Sequence, residues 1–217
     1  METVKEFPVN DITDIQIKSR LSQINIVAGN SENIVLRWTD TSRRTTTAKQ
    51  FGKALEVMDQ GEITFYGVLG FIALKEDKEL TLEVPAGFNG SVRAESHDEM
   101  VRVFGIEKLG NLTIKTTIGA IEVTGTNAAN FQLSTMGGNI SLRGIASDAG
   151  ISAETHNGNI DCLCVGDERD YSVDCHTQSG YVDAPPMSYC QGKKPLRLRT
   201  MTGGLSLRFM NRAGGQS

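Results

Sequence analysis

Three carboxylates occupy the same place in a recurring phrase. Glu122, Asp161 and Asp183 each sit between small or aliphatic residues, Ile121/Val123, Ile160/Cys162 and Val182/Ala184. Alternation at period two turns the residue between such neighbours to the opposite face of a strand. The three would therefore share one outward row, with Glu154 and Asp174 facing outward nearby. If consecutive copies stack, Asp161 and Asp183 become neighbours and Glu122 lies two copies from Asp161. Clustered carboxylates on a long β surface suit a polysaccharide lyase or glycoside hydrolase, where they cradle a metal or act as an acid/base pair. A solvated strand face carries the same residues, and a fold alone confers no activity. The sequence thus predicts no catalytic residue, and the acidic row stands as the carbohydrate-active alternative.

The other residues able to do chemistry are dispersed. His97, His156 and His176 are spaced too widely to ligate one metal, and Cys162-x-Cys164 lacks zinc-knuckle spacing. Cys162 and Cys175 fall on apolar alternating positions, where cysteine serves as a small hydrophobe. With Cys164 and Cys190 they read as reduced, structural thiols of a reducing compartment. No metal or other cofactor is expected. Beyond Ala184 there is no Asp or Glu, while Lys193, Lys194, Arg197, Arg199, Arg208 and Arg212 give +6. The formal charge of −4 over 217 residues therefore leaves −10 for the rest. Of these cations, Lys193, Lys194, Arg197 and Arg199 lie on or just before the last repeat. They either guard its open edge against strand pairing or meet an acidic partner.

Composition excludes several classes. Hydrophobic and charged fractions of 39% and 22% are those of an ordinary globular chain. The acidic balance argues against nucleic acid as a partner. There is no apolar run of ~18 residues, so no transmembrane segment is expected. METVKEFPVNDITD has no signal-peptide core, which predicts a cytoplasmic protein, or a cell-surface one should a leader precede it.

These residues are positioned by a repeat. Copies begin at Val92, Leu112, Phe131, Ile151, Val173 and Leu196. Four positions on stand Ser96, Thr116, Thr135, Thr155, Thr177 and Thr200. Seven on stand Glu99, Gly119, Gly138, Gly158, Gly180 and Gly203. Nine and eleven on, small or aliphatic residues return. A degenerate copy runs from Ile15 through Ile17, Ser19, Ser22, Ile24 and Ile26. Each unit reads as two short strands joined at a corner, where glycine suggests positive φ. The Ser/Thr column would form a hydroxyl ladder beside that corner. Such units cannot bury an apolar face singly and must stack. A hairpin meander would explain the strands but not the constant Gly and Thr offsets.

The expected fold is all-β: a single-stranded parallel β-helix or β-solenoid of ~20-residue rungs with an irregular N-terminal β cap. It would be one domain over 1–217, with cap and irregular coils to 90, regular rungs over 91–210 and a disordered tail at 211–217. Within the first ninety residues, NIVLRWTD, Leu55–Met58, Ile63–Tyr66, Phe71–Leu74 and ELTLEVP read as strands, and TSRRTTTAKQFGK as a polar loop. YGVLGFIALK (66–75) reads as cap core or an association surface.

The passage ELTLEVPAGFNGSV, the T-x-x-G-x-I-x-h rungs (h apolar) and IQIKSRLSQINIVAG resemble the bacterial β-strand-repeat proteins of the DUF4097 family, which are proposed adhesins. The resemblance covers most of the chain and is weakest at 40–75. It implies a parallel β-helix-like fold, a binding or adhesive role and no catalytic residues. Some members look cytoplasmic and are associated with cell-envelope stress systems. The expectation is a non-enzymatic binding or scaffold module linked to the envelope, with a protein or glycan partner and with solenoid ends open to homo-oligomer formation.

Overall fold

The computed structural model describes residues 2–20, 22–40, 44–61, 79–186 and 190–210. Among them are strands and two short 3-10 turns, Val9–Asp11 and Glu168–Asp170, but no α-helix. No helix there is long and apolar enough to cross a membrane.

The apolar residues at period two dictate two sheets packed face to face. One sheet runs, in spatial order, β5 (Arg44–Phe51), β6 (Ala54–Gly61), β2 (Asp14–Ser19), β8 (Ser91–Ser96), β10 (Leu109–Thr116), β12 (Asn127–Thr135), the second half of β13 (Ile140–Asn157), β17 (Lys194–Thr202) and β15 (Tyr171–Ser179). The other runs β1 (Glu2–Pro8), β4 (Asn33–Thr39), β7 (Glu79–Pro85), β3 (Gln23–Gly29), β9 (Val101–Phe104), β11 (Ile121–Thr124), the first half of β13, β14 (Ile160–Val165), β18 (Leu205–Met210) and β16 (Val182–Asp183). All these pairings are parallel except β5–β6, β1–β4 and β4–β7. A strand of the first sheet and its successor in the second form one level of the stack.

Between the sheets lies one apolar cluster. Ile15, Leu112, Phe131 and Leu196 from the first sheet and Ile24, Ile121, Ile160 and Leu205 from the second are fully buried. Burying each such side chain is worth about 1.5–3 kcal/mol, and the gain requires a neighbouring level on both sides. That is why the copies stack.

The columns read from the repeat meet in register. Leu112 faces Val92 and Phe131, Ile151 faces Phe131 and Leu196, and Ile15 faces Val92. The order of the levels departs from chain order at both ends. β17–β18 is inserted between β13–β14 and β15–β16, so the Leu196 copy is not an edge and the Val173 copy is terminal among the described residues. Likewise β2–β3 lies between β6–β7 and β8–β9. The basic stretch therefore does not guard an open edge. TSRRTTTAKQFGK is also no loop throughout: Arg44–Phe51 pairs antiparallel with β6 and is an edge strand among the described residues, its polar residues hiding its β character. The expected strands at Ile63–Tyr66 and Phe71–Leu74, the segment 66–75 and the tail 211–217 lie outside the described residues.

Candidate binding surface

At the corner from first to second sheet, one carbonyl serves two neighbours. The Gly119 oxygen accepts from Thr116 Oγ1 at 2.6 Å in its own level and from Thr135 Oγ1 at 3.2 Å in the next. Thr155 donates to the Gly138 oxygen, Thr200 to that of Gly158 and Thr177 to that of Gly203, each at 3.0 Å. The hydroxyl ladder thus ties the successive levels of β10, β12, β13, β17 and β15 to one another, and Ser96, Thr116, Thr135, Thr155 and Thr200 are buried.

The same carbonyls explain the glycines, by a cause other than the expected one. Gly119, Gly138 and Gly158 have no positive φ; of this column only Gly180 and Gly203 do. A Cβ on any of the five would fall 2.0–2.3 Å from the carbonyl oxygen of the adjacent level. Close approach, not dihedral freedom, excludes a side chain from the first three. Left-handed glycine belongs to the opposite corner, at Gly105, Gly125 and Gly144, with φ of 72°, 57° and 63°. That second column stands thirteen positions into three copies and was legible in the repeat.

A third feature went unread. In β6, Leu55, Val57 and Asp59 pair with Ile15, Ile17 and Ser19, so Asp59 occupies the hydroxyl column. Its carboxylate is buried and accepts hydrogen bonds from Ser19 at 2.7 Å, Ser22 at 2.6 Å and Thr46 at 3.3 Å. The alternation L-x-V-x-D was its only signal.

The acidic row of the second sheet is real but broken. Its order is Arg102, Glu122, Ser141, Asp161, Ser206, Asp183. The exchange of the last two levels puts Ser206 between Asp161 and Asp183, so these are not neighbours. Glu122 accepts from Arg102 at 3.0 Å, and Arg208 lies 3.4 Å from Asp183. No group of three or more His, Cys, Asp or Glu is arranged to hold a metal among the described residues. His97 pairs with the adjacent Asp98, and His176 lies on the terminal strand β15. His156 is exposed near the end of β13.

The basic residues mostly have internal partners. Asp174 of β15 holds Arg199 at 2.7 Å and Arg197 at 3.4 Å, and the Arg199 hydrogen bond lowers the Asp174 pKa. Lys194 donates to the Ser147 carbonyl at 3.1 Å and sits over the Tyr171 ring. Lys193 is exposed. The thiols of Cys162 and Cys164 touch at 3.4 Å inside the core, and Cys164 together with burial pushes the Cys162 pKa well up. Burial pushes the Cys175 thiol up to about 12 and the Tyr171 phenol likewise to about 12. Cys162, Cys175 and Tyr171 therefore stay neutral at physiological pH.

The family model described as Toastrack DUF4097 matches residues 12–161. Among solved structures, a proposed cell adhesion protein from Clostridium sporogenes has a TM-score of 0.54 at 11% identity, covering 98% of this chain and 99% of its own. A proposed adhesin from Bacteroides fragilis has a TM-score of 0.41 at 13% identity, covering 97% of each chain. One from Parabacteroides distasonis has a TM-score of 0.42 at 12% identity, covering 98% of this chain and 94% of its own. The likeness to the first is one of fold. No match is found among curated proteins.

Proposed function

The chain belongs to the Toastrack DUF4097 family, and from that premise we propose that it is a non-enzymatic, adhesin-like binding or scaffold module. It would work as a β-solenoid of ~20-residue rungs, presenting a rigid stacked face to a protein or glycan partner at the cell envelope. The observation that carries the reading is the continuous outward surface of the two sheets, held level to level by the hydroxyl ladder and one buried core. A surface fixed in this way loses little conformational freedom on binding, which favours affinity distributed over several levels. The broken acidic row supports binding over turnover, since Asp161 and Asp183 are separated and Asp183 and Glu122 face arginines.

The test is a glycan and protein array probed with the full chain, with product release followed on the same spots. Retention without products is expected. Cleavage of a bound polysaccharide that disappears in Asp161→Asn or Asp183→Asn would replace this reading with the carbohydrate-active one. Protease accessibility in intact cells separates the cell-surface from the cytoplasmic placement.

A further inference from the structure

Where the first sheet approaches the glycine corner, residues of four consecutive levels, β6, β2, β8 and β10, surround a hollow of about 400 Å³. Lys18, Arg20, His97 and Lys115 bring nitrogen to it, and Met58 supplies an apolar wall. Its negative groups are largely accounted for. Glu95 is held by Arg93 at 2.7 Å, with Lys18 farther off at 3.8 Å. Asp59 is only 3% exposed and has its carboxylate turned to the Ser19 and Ser22 hydroxyls. Arg20 and Lys115 make no ion pair among the described residues. On a chain of formal charge −4, this is a local excess of positive charge set in a concavity, which concentrates anions.

We infer that this hollow is a binding site for an acidic glycan, taking one sugar ring that carries a carboxylate or sulfate. The inference rests on the binding-module reading. The volume lies within the range of small-molecule sites, roughly 300–1,000 Å³. Arg20 offers the planar fork that oxyanions prefer, and Lys18 and Lys115 offer point charges. The Ser96 and Thr116 hydroxyls donate hydrogen bonds to the Glu99 and Gly119 carbonyls. Both residues are buried, so the hydroxyl ladder closes the hollow from beneath, while the Met58 side chain suits a ring C–H face. An acidic peptide fits less well. β6, β2, β8 and β10 are each paired on both sides, so no free strand edge faces the hollow to take a peptide backbone.

The experiment measures affinity of the full chain by calorimetry for four probes. These are a carrageenan tetrasaccharide, which is sulfated and free of carboxylate, an oligogalacturonate tetrasaccharide, neutral cellotetraose and a poly-glutamate peptide. Expected is salt-sensitive binding of the sulfated or the uronate probe, the stronger of the two identifying the oxyanion. That binding weakens about three- to tenfold in Arg20→Ser/Lys115→Ser and is unchanged in Arg208→Ser on the other sheet. Both sets of side chains are exposed, so the variants should keep the wild-type circular dichroism. Equal affinity for poly-glutamate, or undiminished binding by the double variant, overturns the site. So does wild-type indifference to both acidic glycans. If the array described above still retains other partners, only the site falls. If it shows turnover, the binding-module reading falls with it.

Discussion

Replacing Gly138 by alanine would place a Cβ 2.3 Å from the Gly119 carbonyl oxygen, 2.7 Å from its carbon and 3.0 Å from the Ala120 Cα. All three are backbone atoms of a level fixed on its other side, so none can swing away. Relief requires the two levels to part at the corner. Parting strains hydrogen bonds that cross between them, from Thr135 Oγ1 to the Gly119 oxygen at 3.2 Å and from the Gly137 N–H to the Thr117 oxygen at 2.8 Å. Overpacking costs about 1–3 kcal/mol and each weakened bond up to about 1 kcal/mol. The expected destabilisation is about 2–4 kcal/mol. Urea unfolding followed by emission of the single tryptophan, Trp38, which is buried, should show the midpoint falling by about 1–2 M with an unchanged slope. Gly125→Ala is the comparison: its Cβ meets nothing nearer than 4.0 Å, but φ is +57°, so only backbone strain of about 1–2 kcal/mol applies. Gly87→Ala meets nothing within 4 Å and should move stability by no more than about 0.5 kcal/mol. If Gly138→Ala behaves like Gly87→Ala, the close-approach explanation of the glycine column is wrong.

Other outcomes follow from the same geometry. Asp59→Ala should destabilise by about 1–3 kcal/mol, measured in urea, because it leaves the Ser19 and Ser22 hydroxyls without their carboxylate. Native Cys162 and Cys164 should resist a thiol reagent at pH 8 and react only after denaturant is added. Cys175 and Tyr171 have folded pKa values raised to about 12 from 9.0 and 10.0. Their contribution is whole below pH 9, where the unfolded groups are also protonated, and is lost as pH rises towards 12. Alkaline titration followed by circular dichroism should therefore show stability falling from about pH 9 upward, less steeply in Tyr171→Phe. Asp174, its pKa lowered chiefly by Arg199, contributes above the unfolded carboxylate pKa and loses that contribution in acid. The pair is about half exposed, so Asp174→Asn should cost under about 1 kcal/mol at pH 7 and nothing below both pKa values.

Much of the stack was legible because the repeat specifies register directly. Val92, Leu112, Phe131 and Ile151 align in the chain and face one another in the sheet. The order of the levels was not legible. Every copy presents the same apolar and hydroxyl offsets, so the Leu196 copy fits against Ile151 as well as the Val173 copy would. Covering a terminal apolar level is a long-range choice that no local pattern records. The same limit misplaced Asp183 beside Asp161 and set the basic residues at an edge they do not occupy. Arg44–Phe51 escaped for a different reason, since an antiparallel edge strand buries few side chains and can be written in threonine and lysine. Asp59 escaped because a carboxylate in a hydroxyl column breaks the pattern by which the column is recognised.

The exchanged levels also bear on how the molecule yields to force. In a stack threaded in chain order, tension on either terminus would peel the outermost level, one ladder per sheet at a time. Here β17–β18, the strands nearest the C-terminus, are clamped between β13–β14 and β15–β16. Extracting them breaks ladders on both flanks together. β2–β3, near the N-terminus, is held in the same way. Tension on the N-terminus would peel β1 from its single ladder with β4 before it met β2–β3, and a module tethered by its ends would from there resist unzipping where an ordinary repeat array would fray.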